Sequence, residues 1–579
     1  MSSLGFPPDP GDIDTKGTPS VTRPLRGVVP ALLVAILVLA AGCAALVSRP
    51  RPDTAARVAT VPASDIAPSA RETLTPGREL RVAVASLPQQ WNPWHVRASY
   101  DSLLSVTDAV SPHFFTVDAD GQWHANPNYL DGEPVAAGTP LVVRLRLNPK
   151  AVWGDGAPIT WADVKAPVVA CQKTDPVLPC ADAESAAHIA SVTRGRDDFE
   201  AIVRFTGAYG QWREALRAPG RAALLADATA FAWPAPQLRG EAGPYHVDRY
   251  DPATRQVRLV PNPRWWGPAP ALSAIVFRAM SAEEATTAFA NNEIDVLSAE
   301  LDRAATERVR GLVDASLRQA AGRAQRTVLM NTSRGPLADV AVRRAILGAV
   351  DREAIRRADL SGLATGGLDW PAHTLGNRLL QPGDTGYRNN SGTDGVDFDV
   401  TAARTALSDA GWAPGPDGTR HRDGQRLALS FLQDSGSAAS AADAAALTDQ
   451  LRAIGVALTV ESVPSAEYVD RLVTGRYGIT ATTLPANLTA QQLYSSASRT
   501  NLTRFGLPEL DELLRAMAIA TDDQQRSAAA NKADRLLWEK AATVPLYLVP
   551  QNVAVRSSVA NYGAFGRASV DWTMVGFRS

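Results

Sequence analysis

Trp153-Gly154-Asp155-Gly156-Ala157-Pro158-Ile159-Thr160-Trp161-Ala162-Asp163-Val164 reads as a tight turn that runs straight into a helix. Asp155-Gly156 is turn chemistry, and Pro158 stiffens the approach. The Thr160 hydroxyl is placed to cap the helix, with Asp163 standing where a capping box usually has Glu or Gln. Before it, Leu141–Leu147 alternates apolar and basic residues from Val143 onward, the period of a half-exposed strand. Leu80–Ala85 and Val257–Val260 read as further strands. The second half is more regular. Val342, Ala345, Ile346, Ala349 and Val350 form one helix face with Asp339 as its N-cap. Ala403, Leu407 and Ala410 repeat the pattern up to Gly411. Leu447, Leu451 and Ile454 do so up to Gly455, before a strand over 456–460. Thr521-Asp522-Asp523-Gln524 opens a last long helix as a capping box, and a strand follows over 544–548. The class is mixed α/β with several lobes.

The 579 residues carry 58 Lys and Arg against 60 Asp and Glu, a net charge of −2. That balance gives no global basic field for nucleic acid. With 45% apolar and 20% charged residues the chain can bury large cores. Residues 1–26 are polar and include Lys16, Arg23 and Arg26. The apolar run from Gly27 ends in Leu39-Ala40-Ala41-Gly42-Cys43. A basic region, an apolar region and small residues before a cysteine make a secretory signal. This one resembles a bacterial lipobox, which implies cleavage before Cys43 and a lipid on its sulfur, although Ala40 stands where Leu is usual. Gly27–Ser48 is also long enough for an uncleaved anchor. Either way the rest of the chain lies on the extracytoplasmic face of the cell membrane. Residues 44–79, rich in Pro, Ala, Ser and Thr, read as a flexible tether.

Cys171 and Cys180 are the two remaining cysteines, and in an oxidising exterior they read as a disulfide. No histidine pair has metal-ligand spacing, so neither a metal nor another cofactor is expected. P-loop, Gly-x-Ser-x-Gly, His-Glu-x-x-His and Gly-x-Gly-x-x-Gly patterns are absent, and the carboxylates are dispersed. An exported multi-lobed α/β chain without catalytic signals is a binder rather than an enzyme.

The 153–164 stretch resembles a motif of the extracytoplasmic solute-binding proteins of family 5, the peptide- and nickel-type binding subunits of ABC importers. Gly243-Pro244-Tyr245, Asn262-Pro263-Arg264-Trp265-Trp266-Gly267, Asn292-Glu293-Ile294-Asp295, Asn331-Thr332 with Val342–Arg352, Ala410-Gly411-Trp412 and Val544-Pro545-Leu546-Tyr547 follow in the family's order. The resemblance covers about residues 80–560. It implies a two-lobe periplasmic-binding-protein-like fold with the ligand between the lobes. Lobe I is expected over 80–323 with an inserted subdomain over about 114–239, lobe II over 324–542, and a return to lobe I over 543–579. Arg326–Met330 and Val544–Leu548 are the expected hinge strands. The 153–164 motif itself is expected to be structural and outside the binding site.

The expected ligand residues are Trp91, Asn92, Trp94 and His95, in the loop after the first strand, and Trp370, Asn487, Tyr494 and Arg504 from lobe II. Aromatic planes and an amide there suit sugars, acyl chains or peptides, although Trp91 and Trp94 read equally well as core anchors. Phe114 and Phe115 read as core. The stretch Thr482–Gln492 holds no Asp or Glu where peptide binders of the family usually keep an acid for the peptide ammonium, and Gly478 stands where the family commonly has Asp. This neutral loop looks like the actinobacterial lipoprotein branch that includes a mycobacterial binder of monoacyl phosphatidylinositol tetramannoside. The expected partners are a peptide or glycolipid ligand and an ABC permease or envelope-biosynthesis membrane protein. The chain is expected to be a monomer.

Overall fold

In the computed structural model, the described residues are 61–579 apart from 89, 100–105, 173–179, 298–300, 302, 364–373, 392–396 and 487. The signal segment with Cys43, and the candidates Trp370 and Asn487, lie outside them. Three sheets organise the chain. A seven-stranded sheet is ordered 315–320, 551–556, 296–297, 79–84, 274–279, 256–261, 245–251. Its centre is parallel, 79–84 lying between 274–279 and 296–297, while the flanking pairs are antiparallel. Leu80 and Val82 are buried on one face of that centre and Ala83 on the other, as a strand covered on both faces requires. A five-stranded sheet is ordered 457–463, 428–434, 479–484, 325–330, 543–548. An antiparallel four-stranded sheet, 135–137, 142–146, 200–205 and 189–194, has its own core around Phe114, Trp153 and Phe205.

The local readings translate directly. Val143 and Leu145 are buried and Arg144 is exposed between them. The Asp339 carboxylate accepts the Ala341 N–H at 2.9 Å and starts the helix Val340–Ala349. Gly411 and Gly455 close their helices with φ of 83° and 81°, the left-handed conformation open to glycine. Cys171 and Cys180 form the expected disulfide. The last long helix, Asp523–Glu539, is capped by Asp522 rather than Thr521, the Asp522 carboxylate accepting the Gln525 N–H.

Two boundaries differ from expectation. The stretch taken as a tether is tied down beyond residue 64. Asp65 bridges Ala564, and Leu74–Thr75 pair antiparallel with Phe577 and Arg578. That pairing joins positions about five hundred residues apart, so composition around residue 70 carries no trace of it. The return to the first sheet comes later than 543. Thr543–Leu548 is the edge strand of the five-stranded sheet, with Val544 and Leu546 fully buried in its core. The chain crosses between the two large sheets twice, between 320 and 325 and again between 548 and 551. The expected hinge strands are therefore paired strands inside the five-stranded sheet, and the crossings lie at their outer ends.

Candidate functional site

The helix announced by Thr160 runs over Trp161–Gln172. Asp163 takes the Glu role at its start: its carboxylate accepts the Thr160 N–H at 2.9 Å and the Thr160 hydroxyl at 3.3 Å. Four residues on, Pro167 has no N–H to give the Asp163 carbonyl. That carbonyl instead accepts the N–H of Gly220 at 2.9 Å, which fastens the loop 217–221 to the helix. The approach at Gly220 is close: a Cβ would sit 2.6 Å from the Leu225 side chain and 3.2 Å from the Trp94 ring, so a larger residue would have to push these side chains aside.

That loop forms one wall of a cavity of about 250 Å³. A second wall is the loop after the first strand, with Trp91 and Trp94. Three hydrogen bonds hold it to a neighbouring loop: Asn92 Nδ2 donates to the Phe231 carbonyl at 2.9 Å, the Trp91 N–H to the Trp233 carbonyl at 2.8 Å, and the Trp233 N–H to Gln90 Oε1 at 3.0 Å. Trp153 and Trp233 complete the aromatic lining. Leu488 and Gln492 close the cavity from the half built on the five-stranded sheet. Gln492 Nε2 donates across to Asp182 Oδ1 at 2.6 Å and to the Ala181 carbonyl at 3.1 Å. Arg97 pairs with Asp470, and the Gly210 N–H donates to the Ala518 carbonyl at 2.9 Å. The cavity is thus enclosed between two halves that touch on more than one side.

Its charges are mostly matched. Arg217 meets Asp182 at 2.6 Å, Arg221 meets Asp155 at 3.1 Å, and His113 lies 3.2 Å from Asp108, which also accepts the Trp572 indole N–H. Glu241 differs. It is 5% exposed, its Oε2 accepts the Val247 N–H at 3.1 Å, and no cation faces it among the described residues. Burial lifts its carboxyl to about 7. Among the described residues no group of three or more His, Cys, Asp or Glu side chains is placed to hold a metal, and no helix is long and apolar enough to cross a membrane.

The sequence candidates are divided by this geometry. Trp91 and Trp94 line the cavity and also belong to the buried core of the first half, Trp91 with its ring edge-on to Tyr250. Asn92 is fully buried, its amide engaged with Phe231 and with the Trp94 N–H. His95 lies outside the cavity; its Nδ1 accepts the Arg97 N–H, and burial, with Arg97 nearby, pulls its imidazole down to about 4. Tyr494 is buried in the core of the other half. The Arg504 guanidinium donates to the Val473 carbonyl at 2.6 Å, at the end of the helix Ser465–Thr474. It thus serves a helix C-terminus, where a cation is favoured. Trp153, expected to be purely structural, lines the cavity. Arg217, Arg221, Trp233 and Glu241 carried no periodic signal and were missed. The neutral stretch 482–492 does reach the cavity, through Leu488 and Gln492.

Residues 137–501 match the bacterial extracellular solute-binding proteins, family 5. The chain belongs to this family. The oligopeptide-binding protein OppA of Mycobacterium tuberculosis is 31% identical over 94% of this chain and 92% of its own length. The probable monoacyl phosphatidylinositol tetramannoside-binding protein LpqW of the same organism is 25% identical over 79% of this chain and 74% of its own. Identity to the peptide-named relative therefore exceeds identity to the mannoside-named branch. The oligopeptide-binding protein AppA of Bacillus subtilis, solved with a nonapeptide, superposes with a TM-score of 0.76 over 87% of this chain and all of its own, at 15% identity, a likeness of fold. Membership makes this a solute-binding protein and not an enzyme, on the mixed α/β fold of the periplasmic binding proteins.

Proposed function

We propose that this chain captures oligopeptides outside the cytoplasm and presents them to an ABC permease. It would do so as a monomer held to the membrane through a lipid on Cys43. In this reading lobe I is built on the seven-stranded sheet with the four-stranded subdomain inserted, and lobe II on the five-stranded sheet. The observation that carries it is the aromatic cavity enclosed between them, with Gln492 reaching from one lobe to Asp182 on the other. Closure about the two crossings would couple occupancy to a shape that a permease can read. One fact favours a peptide over a phosphatidylinositol mannoside: the greater identity to the oligopeptide-binding relative.

The test is thermal melting of the purified protein with a peptic casein digest, and in parallel with a mannoside-lipid extract. Peptides at a hundred times Kd should add about 2.7 kcal/mol to the stability of the folded state. Stabilisation by the lipid extract alone would sink the peptide reading and restore the envelope-lipid role.

A further inference from the structure

A carboxylate buried in a ligand cavity is either neutralised by a neighbour or left for something that arrives. In this cavity each arginine already has an acidic partner: Arg217 has Asp182 and Arg221 has Asp155. Asp108 has His113 and the Trp572 indole. Glu241 has only the Val247 N–H, on Oε2; its Oε1 has no hydrogen-bond partner among the described residues. At 5% exposure it is too deep for bulk water to solvate it freely. The surrounding wall includes the indoles of Trp91, Trp94, Trp153 and Trp233. Indole faces attract cations, and most strongly where water is excluded. A lone carboxylate among indoles in an enclosed space is the chemistry that selects an organic cation.

We infer that Glu241 holds an ammonium group of the bound ligand, so that this lobe supplies the acid that the neutral stretch 482–492 lacks. The inference rests on the oligopeptide reading above. The ammonium would form a charge-assisted hydrogen bond to Oε1 while the Val247 N–H keeps Oε2 in place. The same carboxylate, left without a cation, keeps its proton into the neutral range. Binding would therefore draw it into the ionised form; the other titratable and charged groups that line the cavity are Asp108, Asp182, Arg217, Arg221 and His113.

The experiment uses the purified chain and a peptic casein digest as probe. Captured peptides are identified by mass spectrometry and resynthesised in three forms: with a free amino terminus, with an acetylated terminus, and with any lysine replaced by norleucine. Loss of one ammonium, at the terminus or on lysine, should weaken binding to the wild type at least tenfold and name which source is used. Glu241→Gln keeps an acceptor for Val247 and should erase that preference, while Glu241→Asp, which keeps the charge, should retain part of it. Capture of peptides with no preference for an ammonium, or a preference that survives in Glu241→Gln, overturns the assignment and leaves the peptide reading intact. Failure of the wild type to capture any peptide overturns both.

Discussion

Glu241→Gln also makes a prediction about the protein without ligand. The folded chain lifts this carboxyl from its ordinary 4.5 to about 7, because it is buried without a cation. Below 4.5 the folded and unfolded chains both hold the proton, and burial carries no ionisation penalty. Between 4.5 and 7 the unfolded chain releases the proton while the folded chain keeps it, so stability falls as pH rises. Above 7 the penalty is complete, about 3 kcal/mol at ~1.36 kcal/mol per pH unit. Glutamine imitates the protonated acid at every pH. At about 2.1 cal/mol/K per residue, a cooperative unit of about 500 residues unfolds with an entropy of about 1 kcal/mol/K, so this penalty is worth roughly 3 °C. If one lobe melts alone the same energy is worth about twice that. The assay is differential scanning calorimetry of both proteins from pH 4 to pH 8.5. The melting temperature of the variant minus that of the wild type should be near zero at pH 4 and rise to these values at pH 8. A difference that stays flat across the range, or that favours the wild type at pH 8, would refute the claim that Glu241 is an uncompensated buried acid.

His95 should act in the opposite direction: its imidazole is held at about 4, so it adds stability at neutral pH that is lost as pH falls from 6.5 toward 4, and His95→Asn should flatten that part of the acid melting curve unless the ring is not buried as described. Asp534 and Arg378 are fully buried 3.2 Å apart, with Arg378 over the Trp538 ring at 4.2 Å; Asp534→Ala strands that cation and should cost about 3–5 kcal/mol in urea denaturation, and a loss under 1 kcal/mol would show that the pair is solvated. Gln492→Ala removes the contacts to Asp182 and Ala181 and also the bond from the Thr489 N–H that completes a capping box; at about 1.5 kcal/mol for a hydrogen bond to a charged group, peptide release in stopped flow should quicken roughly tenfold, with a melting loss no larger than that of one helix cap, about 1 kcal/mol, and unchanged release would mean that this contact does not hold the halves together.

Elements were readable in the sequence wherever one local period was enough. The alternation over 141–147 and the cap at Asp339 depend on neighbours within a few residues, and they appear as read; at Thr160 the helix start is as read, but the bond is made by the Asp163 carboxylate, to which the Thr160 hydroxyl donates. The 482–492 stretch was singled out because a charge was missing, and it does reach the cavity. What stayed hidden depends on distant partners. Asn92 looks like a free amide until the loop at 231–233 arrives to engage it. Tyr494 lies two residues beyond Gln492, yet Gln492 turns to the cavity while Tyr494 enters the core with Leu493 and Leu502. Arg217, Arg221 and Glu241 sit in irregular segments whose meeting is decided by how distant loops of the first half pack on one another. Only the turn residues around them, Pro219-Gly220 and Gly240, marked those segments as loops.

The helix Trp161–Gln172 carries a proline in its middle, an apparent flaw in a well-capped element. The flaw leaves one carbonyl, that of Asp163, open to an outside donor, and the cavity wall at Gly220 takes it. Restoring a regular helix by Pro167→Ala would create a rival N–H for that acceptor, one turn away and already in line. Better local regularity would then loosen the wall that the ligand meets. Order in the helix and order in the pocket compete for a single oxygen, and this chain has settled the contest in favour of the pocket.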